Sequence, residues 1–494
     1  LIYAIRNDPI AAKIFMDYIL GGLFEMSFRT ESDSIGIKEV PEDAYYGVQA
    51  LRASDNFNIT GLKMHPEFVK SLVQVKKASA ITNCGIGALD SKIGHAIVEA
   101  CNEIIEGKFR DQFILDPVQG GAGTSMNMNA NEVIANIAIE LLGGEKGNYN
   151  IVNPNDHVNM GQSTNDVIPT SGKITTLRLV SKAIRQLNEL YRVLKEKSEE
   201  FKDVIKMGRT QLQDAVPITL GQEFKAYSAV VKRDIIRIKR ASQDMRILNI
   251  GGTAVGTGIN ADMEYIEEIV PNLSVIAGIE FCQADDLIDS TQNLDAFLNV
   301  SSAVKTCAVN LSKISNDLRL LSSGPRTGIG EINLPAVQNG SSIMPGKINP
   351  VIPEVLNQIA FNIIGNDVTI TMAVEAGQLE LNAFEPVIFY NLFESLETLS
   401  NGVGTFTDNC IRGITANKDK CRQLLNNSVG MITALSPYIG YKRAAQAAKK
   451  AINTGKSIKD VVLEEKILKE EEFENFINPY DMIEPRYIKK AVEK

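Results

Sequence analysis

Apolar positions recur at helical spacing over long stretches of this chain. Phe68, Leu72, Val75 and Ala78, followed by Ile97, Ala100, Ile104 and Ile105, predict amphipathic helices beginning near His65 and separated by glycines 85, 87 and 94. Val133, Ile134, Ile137, Ala138, Leu141 and Leu142 mark the helix that follows a loop rich in glycine and amides, Asp116–Ala130. Ile174, Leu177, Val180, Ile184, Leu187, Tyr191 and Leu194 line one face of a long helix, with Pro169 placed in its first turn. The segment Gly208–Asp214 is predicted to open another helix reaching about Leu248. Between Leu294 and Leu321 a heptad pattern is sustained: Phe297, Val304, Leu311 and Leu318 share one position, and Val300, Cys307, Ile314 and Leu321 share its partner. Helical spacing resumes after Val351 with Ile352, Leu356, Ile359, Ala360 and Ile363.

This periodicity predicts a mainly α protein built on a central bundle of long helices. The seams are long enough to need partner helices from other copies, so oligomerisation through a shared bundle is expected. We divide the chain into an N-terminal helical domain (26–162), a central bundle domain (163–420) and a small helical C-terminal domain (421–494). Residues 26 to about 53 are polar and turn-rich and read as an irregular lead-in. Residues 1–25 are a separate question: Met26 reads as the natural start, which makes them an extension or a short amphipathic helix docked on the body. Gly251–Gly258 resembles a dinucleotide fingerprint, but no strand pattern precedes it, so it reads as an interhelical turn.

Composition narrows the partners. With 44% apolar residues in 494 the chain can bury a large core, and its net charge of −9 gives no general basic surface for nucleic acid or acidic membrane. No run of about 18 apolar residues predicts a membrane span. Six scattered cysteines and three histidines show no metal-ligand spacing and read as reduced thiols and isolated imidazoles of a cytoplasmic protein.

Candidate chemistry gathers in polar clusters at helix starts. These are Thr124, Ser125, Asn127 and Asn129; Ser163, Thr164 and Asn165; Thr210 and Gln211; and Ser341, Ser342, Lys347 and Asn349. The last lies in a long span, Ser322–Asn349, so punctuated by glycine and proline that it reads as a mobile, substrate-handling loop. One hydroxyl or amide suffices to cap a helix, and these clusters hold several. Converged, they would form a pocket for a small, multiply anionic ligand such as a dicarboxylate, with Lys347 as its fixed cation. Such a pocket suits removal of a proton beside a carboxylate, followed by β-elimination, because fixed donors stabilise the dianionic intermediate more than the ground state. Ser341, His157 and Glu354 are the candidate bases, and spacing does not choose among them.

The stretch Gly340-Ser-Ser-Ile-Met-Pro-Gly-Lys-Ile-Asn-Pro350 resembles the G-S-S-x-M-P-x-K-x-N-P signature of the aspartase/fumarase superfamily. The resemblance runs from about Met26 to Pro485. It implies a three-domain lyase fold that assembles into a homotetramer, with each site drawing blocks from three subunits. It also implies that Ser341 is the base that takes a proton from Cβ. Thr124, Ser163, Thr164 and Asn165 would then hold the β-carboxylate and amino group, and Lys347 and Asn349 the α-carboxylate. Ser342, Thr210 and Gln211 fall in matching blocks. No organic cofactor is implied, and activation by a divalent metal leaves no motif.

Within the family the leaving group separates the branches. Fumarases carry G-R-T-H where this chain has Gly208-Arg-Thr-Gln211, and their histidine is linked to a glutamate corresponding to Glu354. Hydroxide needs a proton to leave, whereas a protonated amine departs as neutral ammonia, so Gln211 favours aspartate over malate. Ala122 and Asn153, where fumarases tend to have serine and histidine, lean the same way. The expected reaction is reversible deamination of L-aspartate to fumarate and ammonia. The alternatives are hydration chemistry on malate and fumarate, or a structural homologue without activity.

Overall fold

The computed structural model describes residues 27–485 of the chain, so the expectations for residues 1–25 lie outside the described residues. Helices dominate. In chain order they are α1 (Val48–Asn56), α2 (Pro66–Gly85), α3 (Ser91–Ile105), α4 (Thr124–Leu141), α5 (Thr164–Glu200), α6 (Leu220–Ala241), α7 (Met263–Ala277), α8 (Leu287–Gln292), α9 (Asp295–Leu321), α10 (Val351–Glu375) and α11 (Glu385–Asn409). Five shorter helices follow between Lys418 and Phe476. The strands pair in twos, chiefly as the antiparallel hairpins β1 (Phe28–Asp33) with β2 (Gly36–Pro41) and β3 (Ile205–Thr210) with β4 (Gln213–Thr219).

The chain forms two compact units. Among the described residues, one takes in the chain up to Arg178 together with Ser242–Asn299 and Val368–Glu394; the other comprises Leu179–Ala241, Val300–Asp367 and the described chain from Ser395.

In the first unit α2 packs on α3 and α7 through Leu72, Val75, Ile97 and Leu273, all buried. Phe68, Phe297, Phe389 and Phe393 form an aromatic cluster with ring centroids 5.2–6.0 Å apart. A Cβ on Gly172 of α5 would lie 2.3 Å from the Phe389 ring, so glycine is what lets the ring approach the helix. The polar lead-in expected from 26 to 53 is instead a hairpin and a helix. Its inward residues are charged: buried Arg29 donates to Glu31 Oε1 (2.8 Å) and to the carbonyls of Pro41, Ala44 and Tyr46, while Glu31 Oε2 accepts from Val48 N. An ion pair thus takes the place of the apolar alternation that would have announced strands.

Helix α5 begins earlier than the apolar spacing suggested. Pro169 therefore lies in its second turn, where the missing N–H leaves the Asn165 carbonyl without its i+4 partner. Asn249 Nδ2 supplies the bond instead, at 3.0 Å.

In the second unit, parts of α5, α6, α9, α10 and α11 pack as a bundle. Every heptad position predicted on α9 is buried. Asn357 Nδ2 donates to Ser312 O and Oγ, Tyr227 OH donates to Asp317, and Ile359 of α10 fills the space left by Gly402 of α11. The helix expected to open at Gly208 is the hairpin β3–β4, and α6 starts only at Leu220. Gln211 and Leu212 form its two-residue turn, both left-handed (φ 55° and 61°). Ile205 and Met207 of the hairpin pack on Leu425 and Met431, and the remaining C-terminal helices close over Leu435, Ala447, Val461 and Val462. Among the described residues no helix is long and apolar enough to cross a membrane.

Candidate active site

The site residues expected from sequence fall into two groups, one in each unit. The first unit brings Thr124, Ser163, Thr164 and Asn165 to the starts of α4 and α5. No side chain caps α4; Gly123 precedes it in a left-handed conformation, and Thr124 Oγ1 turns back to Gly121 O at 2.8 Å. Helix α5 is capped reciprocally: Ser163 Oγ accepts from Asn165 N, and Asp166 Oδ1 accepts from Ser163 N at 2.9 Å. Ser163 therefore does spend its hydroxyl on a cap. Asp166 Oδ2 also accepts from Gly251 N and Thr253 N, which ties the Gly251–Gly258 turn to the start of α5. Burial pushes the Asp166 carboxyl up to about 6, against the pull of these N–H groups. Asn165 Nδ2 adds a bond to Ala254 O at 2.7 Å.

Asn127 and Asn129, grouped with Thr124 on sequence, are buried and serve the interior. Asn129 brackets the preceding loop, accepting from Ile114 N and donating to Gln112 O. Thr124 and Ser125 face a cavity of about 550 Å³ that is also lined by Gln49, Arg52, Asn153 and Asn155. His157 is a local cap in this arrangement: its Nδ1 accepts from Asn153 N at 2.9 Å. That bond gives the imidazole a structural role in the turn.

The second unit carries Thr210 and Gln211 at the exposed tip of β3–β4, a hairpin turn and not a helix start. Gly208 sits at an irregularity in the strand pairing, where a Cβ would lie 2.8 Å from Val216 O. The arm is anchored through fully buried Glu331, whose carboxylate takes Arg209 Nη1 (2.9 Å) and Lys206 Nζ (3.0 Å), while Lys206 also pairs with Glu223. Glu331 in turn roots the long loop, since its N–H bonds Leu321 O and its carbonyl accepts from Asn417 N.

Ser341, Ser342, Lys347 and Asn349 lie in that loop, which closes on itself: Gly340 N donates to Lys347 O (2.9 Å) and Asn349 Nδ2 to Gly340 O (2.6 Å). Gly340 is needed for this approach, because a Cβ there would meet Lys347 O at 2.4 Å. Ser341 Oγ accepts from the N–H groups of Ile343 (3.2 Å) and Met344 (3.0 Å). Donors aimed at a hydroxyl oxygen favour its anionic form, so the turn that fixes Ser341 also eases its deprotonation. Lys347 and Ser342 are exposed, and Glu354 lies 3.9 Å from Arg319.

Comparison with known proteins bears on both groups. A family model described as "Lyase" matches residues 36–365, and one described as "Fumarase C C-terminus" matches 431–484. The aspartate ammonia-lyase of Bacillus subtilis is 55% identical over 461 residues, covering 93% of this chain and 97% of that protein. The chain belongs to the aspartase/fumarase superfamily. The aspartate ammonia-lyase of Escherichia coli is 48% identical, covering 93% and 97% of the two chains. A fumarate lyase:delta crystallin structure from Brucella melitensis, bound to cobalt, matches with a TM-score of 0.90 at 48% identity over 93% of this chain and 100% of that one. A class II fumarase from Schistosoma mansoni matches with 0.89 at 37% identity, covering 92% and 99%. The long-helix bundle expected from the seams and the lyase fold implied by the resemblance agree with the fold of this superfamily.

Sequence reasoning missed the residues that hold these groups in place. Glu331, Asn159 and Lys76 carry no motif of their own, and only their packing and hydrogen bonds reveal them. The tetrad Ser163-Thr-Asn-Asp166 was a legible capping signal, with its acid three residues after the serine.

Proposed function

We propose that the protein catalyses the reversible deamination of L-aspartate to fumarate and ammonia. The observation that carries this reading is the Ser341 hydroxyl held by two backbone N–H groups, inside a loop closed by Asn349 and by the Lys347 carbonyl. The relatives named as aspartate ammonia-lyases support the choice of substrate.

In this reading Ser341 Oγ removes a proton from Cβ. The negative charge moves onto the adjacent carboxylate, giving an aci-carboxylate intermediate that the neutral donors Thr124, Thr164 and Asn165, with the Ser163 block, stabilise as it forms. Lys347 and Asn349 clamp the α-carboxylate and so fix which carbon faces Ser341. The amine leaves already protonated and needs no acid, consistent with glutamine at 211 in place of an imidazole.

The two groups are completed by assembly. We read the protein as a cytoplasmic homotetramer whose sites combine blocks from three subunits. Phe361, Val368 and Met372, more than half exposed along one face of α10, supply an apolar stripe suited to such a shared bundle.

The test is direct. Purified protein is incubated with L-aspartate and, separately, with malate while fumarate absorbance is followed. Fumarate from aspartate is the expected result. Turnover of malate alone would move the protein to the fumarase branch, and silence on both substrates would favour a structural homologue.

A further inference from the structure

Lys76 lies on α2 with no exposed surface, and among the described residues its ammonium has no carboxylate in direct contact. Both of its partners are neutral amides: Nζ donates to Asn159 Oδ1 at 2.8 Å and to Gln162 Oε1 at 2.9 Å. These two residues flank the turn that leads directly into Ser163, Thr164 and Asn165.

Asn159 Oδ1 is unusually loaded. Besides Lys76 it accepts from Asn127 Nδ2 (3.1 Å) and Asn131 Nδ2 (3.2 Å), and Asn159 Nδ2 closes the turn on Gln162 O (3.1 Å). Asn127 and Asn131 turn their amino groups to this point and leave their own Oδ1 atoms without a protein partner. Asn127 Nδ2 also reaches Thr164 Oγ1 at 3.4 Å. The ammonium is thereby linked, through Asn159 and Asn127, to the first residue of α5.

A charge buried this way is costly, and burial pushes the Lys76 ammonium down to about 7, with Asp166 the main opposing influence. An apolar chain of the same length would fill the space but leave Asn159 Oδ1 and Gln162 Oε1 without this donor. What the cation adds is positive potential, little screened in a protein interior, that offsets the Asp166 carboxylate capping a block whose direct donors are all neutral.

We propose that Lys76 is a positioning residue for the dicarboxylate: it fixes the 159–163 turn, orients Thr164 through Asn159 and Asn127, and gives the Ser163–Asn165 block the positive potential that its own side chains lack. The proposal rests on reading that block as the carboxylate-binding part of the site.

The experiment compares wild type with Lys76→Met, which keeps the length of the stem and removes the charge. Three quantities are read: the thermal midpoint, the Kd for succinate, a four-carbon dicarboxylate without a leaving group, and the separate kcat and KM for L-aspartate. The expected result includes a somewhat lower thermal midpoint, since Asn159 Oδ1 and Gln162 Oε1 lose a buried donor, so the midpoint alone decides nothing. Kd and KM are both expected to rise, and kcat to fall, each by about three-fold or more, so that kcat/KM drops about ten-fold or more. A purely structural role predicts the same fall in midpoint with Kd and KM within about two-fold of wild type, and that outcome overturns the proposal.

Should Lys76→Met fail to fold, Asn127→Ala cuts the last link to Thr164 and leaves Lys76 with both of its partners. A Kd raised about three-fold or more supports the proposal, and an unchanged Kd overturns it. Failure of the wild type to convert aspartate would overturn the functional reading and this proposal with it. Wild-type turnover beside a kinetically normal Lys76→Met would overturn the proposal alone.

Discussion

Glu331→Gln is the substitution with the most calculable consequence. The wild-type carboxylate is fully buried between Lys206, also buried, and Arg209, at 3.0 and 2.9 Å. Glutamine keeps one oxygen, which can remain with Arg209 as a bond no longer charge-assisted on the acceptor side, a loss of about 1 kcal/mol. Its amino group then faces the Lys206 ammonium. Removing one partner of a buried ion pair costs roughly 3–5 kcal/mol, but Lys206 keeps Glu223 at 2.8 Å, which holds this contribution nearer 2. The sum, about 3 kcal/mol, is on the order of a hundred-fold in the folding equilibrium. By size scaling over the whole chain it lowers the thermal midpoint by about 3 °C, measured at one fixed protein concentration because assembly shifts the midpoint. Since Arg209 adjoins Thr210 and Gln211, kcat/KM for aspartate should also fall at least about ten-fold. Arg209→Met in the same background should show a coupling energy of about 1–2 kcal/mol in a double-mutant cycle. A Glu331→Gln protein with its midpoint within about 1 °C of wild type and normal kinetics would refute the reasoning.

Two further predictions follow from local geometry. Burial raises the Asp116 carboxyl, but the N–H groups of Val118, Thr60 and Gly61 and the Thr60 hydroxyl outweigh it and hold the carboxyl below its ordinary value of 3.8. Its contribution is therefore present above about pH 4 and lost as pH falls through the lower folded value. Asp116→Asn should cost about 1–3 kcal/mol at pH 7, with the gap to wild type closing in acid; denaturation midpoints across pH check this. Gly340→Ala places a Cβ against Lys347 O and should open the loop, lowering kcat by about a hundred-fold while leaving the thermal midpoint nearly unchanged.

What could be read from the chain depended on whether the interior was apolar. The α9 seam was legible because its buried face is a continuous row of Phe, Val, Leu and Ile, and the Ser341 loop because glycine and proline punctuate it. The two hairpins were hidden for different reasons. β1–β2 turns Arg29 and Glu31 inward, so its buried face looks like surface, and β3–β4 bends at Gln211–Leu212 without the glycine or asparagine that usually marks a left-handed turn. Pro169 could sit in the second turn of α5 only because a distant side chain, Asn249, takes over the orphaned carbonyl. The hydroxyls and amides of the site announced themselves as clusters. The buried ions Lys76 and Glu331 behind them did not, because in sequence they look like ordinary solvated charges.

The central claim is that Ser341, held by the N–H groups of Ile343 and Met344, takes the proton from Cβ of a dicarboxylate. The most direct measurement is kcat for L-aspartate in Ser341→Ala, made on protein shown to keep its assembly and its affinity for succinate. The account predicts that kcat falls on the order of 10²–10⁴-fold, as expected for loss of a general base, with succinate still bound. A kcat near that of the wild type in an intact assembly would contradict it.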